Sequence, residues 1–256
     1  MSKQISRNIH YITPSQYARQ CLEQAGLNVD AVIPHGIDLN SKMDREFYNH
    51  VKGSLPQPSK VPPSNIMLCV AGNWRRKALD KLLVAYKTVE KIVQDAFLIL
   101  HTGIGETNIV ALQEQLMLKR FWLTNMWGVL PNNKLQSLYA LADFYVQPSM
   151  VEGFGLCILE AFRWNKPVVA IDCPATNEVV KDGYTGILVP VTKTEDYVWQ
   201  QRHAIRLHHF DVDNLIDAMI LMCDQNVRAK LAQNVEKEKL KWDMNTHYKK
   251  FMEWIK

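Results

Sequence analysis

The sequence predicts an α/β protein built on a doubly wound, mostly parallel sheet. From residue 65 onward, short apolar segments alternate with segments whose apolar residues recur at helical spacing. The short segments are apolar on both faces, which is typical of strands buried between two layers of helices. The chain has 256 residues, enough for one large α/β domain with appendages. We therefore expect a Rossmann-like sheet whose ligand binds beyond the carboxyl ends of the strands.

Each element of this sheet is predicted from its local pattern. Strands are expected at 66–71, 96–102, 121–128, 143–149, 167–172 and 186–191. Helices are expected near 78–93, 107–117, 132–142, 156–164 and 177–181. The segment 192–210 breaks the alternation because it is polar and aromatic, so it is interpreted as a surface excursion. Its three histidines have no metal-ligand spacing and are interpreted as part of a solvated loop; they are His203, His208 and His209.

Four segments are predicted along the chain. Residues 1–52 form a lead-in with a helix over 15–25, a short strand and a turn. Residues 53–64 contain four prolines and are interpreted as a linker. Residues 65–225 form the ligand-binding domain, and residues 226–256 form C-terminal helices packed on it.

Composition and charge exclude several classes of protein. The formal net charge is +4, from 30 basic and 26 acidic side chains, and such a mild excess does not favour nucleic-acid binding. The five cysteines are widely spaced without a C-x-x-C pair, so neither a disulfide framework nor a zinc site is predicted. The chain shows no signal-peptide pattern and no apolar run long enough for a bilayer. We expect a cytoplasmic protein whose only contact with membranes is peripheral.

The strongest chemical signal is the segment 152–160, EGFGLCILE. Gly153 and Gly155 allow close approach of a ligand to the backbone, and a helix starting at Leu156 presents unpaired N–H groups to an anion. Glu152 precedes this turn, while Glu160 points back toward it from one turn into the helix. The pattern suits a ligand with both phosphates and hydroxyls. A solvated carboxylate beside a turn of purely structural glycines remains the alternative.

Two further strand ends carry weaker signals. The segment 72–77, GNWRRK, places three consecutive cations after the first strand of the sheet, where they match a diphosphate. Cations at a helix start oppose its dipole, which favours a bound anion over the alternative of a solvated basic turn. The segment Gly128-Val129-Leu130 follows another strand, and its backbone could bond a planar base. A plain turn is the alternative there.

Taken together, these segments resemble the family 4 retaining glycosyltransferases, which have the GT-B fold. The stretch LCVAGNWRRKALDKLLVAY is similar to the family's phosphate-contacting stretch, and LQSLYALADFYVQPSMVEGFGLCILEAF contains its E-x(7)-E pair, here Glu152 and Glu160. The stretch TPSQYARQCLEQAGL, continued by VIPHGIDLN, resembles the segment joining the family's two domains. Further matches are PVVAIDCPATNEVVKDGYTGILVPV, which includes Glu178, and the C-terminal helices with Trp242. The chain thus resembles the C-terminal, nucleotide-sugar-binding half of a GT-B fold with extra C-terminal helices.

The resemblance implies roles for individual residues. Arg76 and Lys77 would bind the donor diphosphate, and Glu152 would hold the transferred sugar; these three form the predicted catalytic set. Glu160 would accept hydrogen bonds from the ribose hydroxyls. The remaining predicted donor-binding residues are Gly72, Asn73, Gly128, Val129, Leu130, Gly153, Phe154, Gly155 and Leu156. The chain departs from the family at Asn73, where arginine is common, and at Ala78, where glycine is common.

The implied activity is transfer of a hexose from a UDP- or GDP-linked donor, with retention at the anomeric carbon and without a metal or other cofactor. The acceptor is expected to be a glycan, a lipid or a protein. The sequence has no counterpart of the family's N-terminal acceptor domain, so we expect either a partner subunit that supplies this domain or a homo-oligomer. Two alternatives remain open, a non-catalytic nucleotide-sugar-binding module and a hydrolase of sugar nucleotides.

Overall fold

A six-stranded parallel sheet forms the centre of the computed structural model, which describes residues 9–55, 63–124, 128–199 and 203–254. Its strands are β3 Asn65–Val70, β4 Ala96–His101, β5 Phe121–Leu123, β6 Phe144–Gln147, β7 Val168–Ile171 and β8 Gly186–Val189. They lie in the order β5-β4-β3-β6-β7-β8. The chain starts in the middle at β3, winds outward to β5, and then returns to β6 to wind in the other direction. This order confirms the doubly wound α/β prediction.

The two faces of the sheet support two separate cores. In β3, Met67 and Cys69 belong to one core while Ile66 and Leu68 belong to the other, because successive strand side chains point to opposite faces. Both sets are buried almost completely. This is why the strands read as continuous apolar runs, with no alternation of polar residues.

Helices cover both faces. The first face packs against α3 Leu79–Ile92, α4 Ile109–Leu116 and α8 Val212–Cys223. The second packs against α2 Arg45–Ser54, α5 Asn132–Leu141, α6 Leu156–Arg163 and α7 Thr176–Val179. The C-terminal helices are α9 Gln225–Glu238 and α10 Met244–Trp254. These positions confirm the predicted strand–helix alternation and the helical C-terminal segment.

The lead-in forms a small unit of its own. It comprises β1 Ile12–Thr13, α1 Gln16–Gln24 and β2 Ala31–Val32, with the two strands paired in parallel. Ile37, which follows this unit, is hydrogen-bonded through its backbone to the C-terminal segment. Its N–H donates to the Trp242 carbonyl at 2.7 Å, and its carbonyl accepts from the Met244 N–H at 2.9 Å. The first and last parts of the described chain therefore meet beside the sheet.

Helix α2 crosses the predicted boundary between the lead-in and the linker at residues 52 and 53. Its Val51 is fully buried against the second core, so this helix packs as part of the sheet domain. Residues 56–62 of the predicted linker lie outside the described residues, and the linker stays a prediction there. The same applies to residues 125–127 of the strand predicted at 121–128, of which 121–123 are seen as β5.

Many described residues of 192–210 are exposed, as expected for a surface excursion, but the interpretation of its histidines as part of a solvated loop is wrong for His208. Strands β9 Val191–Trp199 and β10 His203–Phe210 form an antiparallel hairpin. Ile205 and Leu207 pack against the first core, and His208 is buried on the opposite face of the same strand. The polar composition concealed the apolar alternation of one short strand.

Across the described residues, none of the helices combines the length and apolar character needed to pass through a bilayer.

Candidate functional site

The predicted site lies where the strand order reverses, between β3 and β6. In a doubly wound sheet, the loops after these two strands diverge to opposite faces and leave a crevice at their carboxyl ends. The loop after β3 carries Arg76 and Lys77, and the loop after β6 carries Glu152. Two signals that are 75 residues apart in sequence are therefore brought together by topology.

Glu152 is the centre of this cluster. Its Oε1 accepts a hydrogen bond from the Lys77 ammonium, and its Oε2 lies 3.7 Å from the Arg76 guanidinium. The Gln147 amide donates to the same carboxylate at 3.3 Å. The Glu152 side chain is only 10% exposed and that of Lys77 14% exposed, so these charges compensate one another in a partly desolvated place.

The backbone holds the two loops in register. The Met150 N–H donates to the Arg76 carbonyl at 2.8 Å, and the Arg76 guanidinium donates to the Val151 carbonyl at 3.2 Å. Arg76 is thus fixed at both its main chain and its side chain. These contacts would hold the Arg76 guanidinium in place when a bound anion replaces Glu152 as its partner.

The glycine turn leads directly into α6. Gly155 is the residue before the helix and has a φ of +108°, a conformation that favours glycine. No side chain caps this helix, so N–H groups of its first turn other than that of Ile158, which donates to the Gly155 carbonyl, are open to a ligand beside the Glu152 cluster. Phe154 is buried and packs edge-on against His35 and Trp242, with ring centroids 5.2 Å and 5.8 Å apart. The turn is therefore anchored by an aromatic residue between its two glycines.

Glu160 lines a separate, smaller cavity of about 190 Å³ on the other side of the α6 start. Its Oε2 accepts a hydrogen bond from the Tyr139 hydroxyl at 2.8 Å. Burial raises the pKa of Glu160, and the Tyr139 hydrogen bond offsets part of that increase. Leu156 and the lead-in residue Asp38 also line this cavity. A carboxylate here can accept hydrogen bonds from hydroxyl groups, and its contact with a ribose stays a prediction.

The Asn73 side chain is hydrogen-bonded to the loop after β4 and does not join the cation cluster. Its amide nitrogen donates to the Thr107 carbonyl at 2.8 Å, and its amide oxygen accepts from the Thr107 N–H at 3.1 Å. Its own carbonyl accepts from the Glu106 N–H at 2.9 Å. The side chain therefore ties the loop after β3 to the loop after β4, and any contact with a donor would come from the neighbouring backbone, including that of Gly72.

The segment predicted to meet the base is exposed. Gly128 has a φ of +62°, Val129 is 97% exposed, and Leu130 packs against the second core. Trp127 lies outside the described residues. The backbone at 128–130 is therefore accessible, and its contact with a base stays a prediction.

A large cavity of about 890 Å³ opens from the Glu152 cluster. Its floor includes Arg76, Glu152 and Gly153, and its walls are α1 and the β9–β10 hairpin. Sequence reasoning predicted the helix of the first wall, over 15–25, but not its place at this cavity, and it missed the hairpin. The signal that could have found the hairpin is the alternation of Ala204, Arg206 and His208 with apolar residues in HAIRLHHF.

Helix α1 is fastened to the site at its N-terminus. The Ser15 hydroxyl donates to the Gly153 carbonyl at 2.8 Å, and the Glu178 carboxylate accepts from the N–H groups of Gln16 and Tyr17, both at 2.8 Å. A carboxylate at this end also complements the helix dipole. Glu178, which the family resemblance includes without a role, thus anchors a wall of the cavity.

Within the part of the chain that the structure describes, no group of three or more His, Cys, Asp or Glu side chains is arranged to hold a metal ion.

Comparison with known proteins identifies the family. Residues 54–213, which include β3 to β10, match the family described as Glycosyl transferases group 1. The chain belongs to the group 1 glycosyltransferases. The prediction of a glycosyltransferase is thereby confirmed at the level of the family.

Relatives of this glycosyltransferase differ in how much of their length it covers. It is 21% identical to an uncharacterized glycosyltransferase of Sulfolobus islandicus rod-shaped virus 1, over 99% of this chain and 75% of the relative. It is 31% identical to the alpha-maltose-1-phosphate synthase of Mycolicibacterium smegmatis, over 51% of this chain and 34% of the relative.

Solved structures share the fold of this glycosyltransferase. Anabaena Alr3699/HepE, in complex with UDP and glucose, superposes with a TM-score of 0.74 at 19% identity, over 96% of this chain and 62% of that one. The pneumococcal O-GlcNAc transferase GtfA, in complex with UDP and GlcNAc, gives a TM-score of 0.69 at 15% identity, over 96% and 44%. These likenesses confirm the GT-B-like, Rossmann-type architecture, and the chain spans about half of each neighbour.

Proposed function

We propose that this chain binds a UDP-linked hexose and supports transfer of the hexose to an acceptor hydroxyl with retention, as in the family 4 enzymes that it resembles. The observation that carries the proposal is the cluster of Arg76, Lys77 and Glu152 at the reversal of strand order, beside the uncapped start of α6. Two cations and a row of N–H groups suit a diphosphate. The UDP bound in the HepE and GtfA complexes supports uracil as the base.

Two kinds of group in this cluster would bind two different parts of the donor. Arg76 and Lys77 would balance the charge of the diphosphate, together with the N–H groups around Gly155. Glu152 would then be released from part of its ion pairing and accept hydrogen bonds from the sugar hydroxyls. Glu160, in the neighbouring cavity, would accept those of the ribose.

The reaction needs no protein nucleophile in this proposal. The acceptor oxygen forms a bond to the anomeric carbon on the face from which the diphosphate departs. The bond between that carbon and the phosphate oxygen breaks, and its electron pair stays on the phosphate. The acceptor proton moves to the leaving phosphate, so the products are the glycoside and UDP.

Charge developing on the phosphate during this step is what Arg76 and Lys77 stabilise. Preorganised groups of this type are worth about 10²–10³ in rate each. We propose that these fixed cations make a metal ion unnecessary. Measured transfer that is unchanged after treatment with a chelator would support this point, and loss of transfer restored by a divalent ion would contradict it.

Calorimetric titration with UDP, GDP and their glucose and N-acetylglucosamine derivatives tests the donor. Release of UDP in the presence of acceptor sugars, followed by NMR of the product anomer, tests transfer and retention. Donor hydrolysis without transfer to any acceptor would favour the hydrolase alternative. Saturable binding without turnover, also with candidate partner chains, would favour the binding module. A cytoplasmic location and a partner that completes the acceptor site stay predictions; one fold neighbour is itself the GtfA/B complex.

A further inference from the structure

The 890 Å³ cavity is larger than the donor cluster requires. Its floor is shared with the predicted sugar site through Glu152 and Gly153, but most of its wall belongs to α1 and the hairpin. Its volume lies within the range of about 300–1,000 Å³ that is usual for small-molecule sites. Space for a second reactant therefore exists next to the place where the transferred sugar would lie.

Helix α1 forms one wall. None of its residues is fully buried, because the helix covers the cavity and packs on no core. Ala18 and Leu22 contribute apolar surface and Tyr17 contributes a phenol. Burial raises the pKa of Tyr17 to about 12, so its hydroxyl keeps its proton and can donate a hydrogen bond.

Strand β10 forms the opposite wall. Its alternation turns Leu207 into the first core and leaves Ala204, Arg206 and His208 on the face that lines the cavity. The Arg206 guanidinium donates to Asp196 of β9 at 2.7 Å, and both side chains are largely exposed at the mouth. The wall is thus polar at the mouth and at the floor, with a small side chain in Ala204.

His208 has a defined tautomer when neutral. Its Nδ1 lies 3.1 Å from the Met150 carbonyl, and a carbonyl oxygen can only accept, so Nδ1 carries the proton. The lone pair is then on Nε2, which can accept a hydrogen bond from a hydroxyl group. The same carbonyl accepts from the His208 N–H at 2.9 Å, so ring and backbone are fixed together next to the Glu152 loop.

We infer that this cavity is the acceptor site, and that its occupant is a small amphipathic alcohol such as an alkyl glycoside. The inference rests on the proposed function. The reactive hydroxyl lies at the polar floor, where His208 accepts its hydrogen bond beside Arg76 and Glu152. The apolar part of the acceptor lies between Leu22 of α1 and Ala204 of β10.

The chemistry of the walls favours this occupant over a free sugar. A free hexose would find hydrogen-bond partners in Gln20 and Gln24 of α1. It would also place hydroxyl groups against Ala18, Leu22 and Ala204, whose side chains offer no hydrogen bonds. An alkyl chain gives up no hydrogen bonds in this contact, and its transfer from water to apolar surface is favourable. A long peptide or lipid surface is not required, because the apolar contact is limited to the length of α1.

Binding of n-octyl β-D-glucoside, below its micelle-forming concentration and in the presence of UDP, tests the inference by calorimetry. Ala204→Trp, which fills the cavity from an exposed position, is expected to weaken this binding about tenfold or more. Lys193→Trp adds the same ring to the hairpin on the face away from the cavity, and is expected to change the affinity less than about twofold. D-glucose is expected to bind more weakly than the octyl glucoside.

His208→Phe keeps the ring volume and removes both nitrogens. It is expected to raise the KM for an alkyl glucoside acceptor or lower kcat, while the affinity for UDP stays that of the unaltered chain. Unchanged octyl glucoside affinity in Ala204→Trp, or its failure to bind the unaltered chain, overturns the acceptor site. UDP is the separate control, because a chain that binds UDP but not the glucoside loses this inference alone, whereas a chain that binds neither loses the proposed function.

Discussion

Three adjacent cations, Arg75, Arg76 and Lys77, have two different surroundings. Arg76 and Lys77 meet Glu152 at the candidate site. The Arg75 guanidinium instead lies over the Tyr197 ring at 4.7 Å and 3.6 Å from Glu195, both on the hairpin. A short 3₁₀ turn over these three residues makes this separation, since consecutive side chains leave such a turn in different directions.

Arg76→Ala and Lys77→Ala are expected to weaken UDP binding about 10- to 100-fold each, because each removes a charge-assisted contact with phosphate. Uridine binding should change little. Arg75→Ala is the matched control, and its UDP affinity should remain within about threefold. Calorimetry with UDP and with uridine measures all three variants. Equal losses for the two ligands would point to misfolding and would contradict the phosphate role.

Glu160→Gln is expected to weaken uridine binding by about 10-fold at pH 7, because a neutral amide accepts hydrogen bonds less strongly than a carboxylate. Burial raises the pKa of Glu160, so the carboxylate becomes protonated at a higher pH than a free glutamate. Uridine affinity of the unaltered chain should therefore fall as the pH is lowered from neutral, at a higher pH than an ordinary glutamate would cause, with proton release on binding.

Uridine is the ligand of choice for this titration because it has no phosphate group, which would itself titrate in the same pH range. Glu160→Gln should lose this pH dependence, and its free energy of unfolding at neutral pH should not fall, because the raised pKa means that the ionised form is the one disfavoured by folding. A pH dependence that persists in the variant would remove Glu160 from the ribose contact.

The identity of the candidate residues could be read from the sequence, but their partners could not. Glu152, Arg76 and Lys77 stood out by position at strand ends, and the strand order then brought them together. The occupation of the Asn73 amide by Thr107 and the burial of His208 depend on loops whose paths no periodicity reveals. Short-range patterns identify groups, whereas long-range packing decides what each group contacts.

At the scale of elements, the start of α6 depends on one backbone conformation. Gly155→Ala would place a Cβ at a φ of +108° and 3.1 Å from Ile158. We expect a loss of about 1–3 kcal/mol in the free energy of unfolding, from a strained backbone and crowding. Gly153→Ala is the control, since its Cβ would meet nothing within 4 Å and its φ is not positive. Urea denaturation compares the two, and equal losses would contradict the assigned strain.

The attachment of α1 can be weakened separately from the core. Glu178→Gln is expected to reduce the hydrogen bonding and the dipole interaction at the start of α1. Amide hydrogen exchange over 16–24 should accelerate about 3- to 10-fold while exchange in β3 stays the same. Glu23→Gln, on an exposed part of the same helix, is the control. Unchanged exchange in α1 would mean that other contacts hold the helix.

The elements of the sheet were predictable because each is buried on both faces and bounded by turns. The hairpin was not, because its two strands are half exposed and rich in charge, so that apolar alternation survives only around Leu207. Helix α2 was missed although Phe47, Val51 and Leu55 recur four residues apart and pack on the second core, so its helical spacing could have been read from the sequence. Elements at the edge of a core leave a weaker pattern than elements inside it.

For the molecule as a whole, the last helix presents apolar side chains to solvent. Tyr248, Phe251 and Met252 of α10 are 39% to 52% exposed, whereas Trp254 packs edge-on against His10. Ile33 of the lead-in is half-buried, and Ile255 lies outside the described residues. Association through the lead-in and the C-terminal helix, with a second copy or a partner, therefore stays a prediction.

Sedimentation of the purified chain over a range of concentrations tests this association. Phe251→Asp should shift any dimer toward monomer, because it places a charge within the apolar surface. Lys250→Asp, one position earlier on the same helix, controls for the added negative charge. A monomer at all concentrations that transfers sugar efficiently would contradict both self-association and the need for a partner.

Met150 connects the two reactant sites by its own backbone. Its N–H donates to the Arg76 carbonyl and its carbonyl accepts from His208, so the phosphate loop and the hairpin share one residue. If an occupant of the large cavity restricts the motion of the hairpin, it also restricts the motion of Arg76. Thermodynamic linkage then requires reciprocity, because the factor by which an acceptor tightens UDP binding must equal the factor by which UDP tightens acceptor binding. Within one domain, a single residue would thus make the two substrates cooperative.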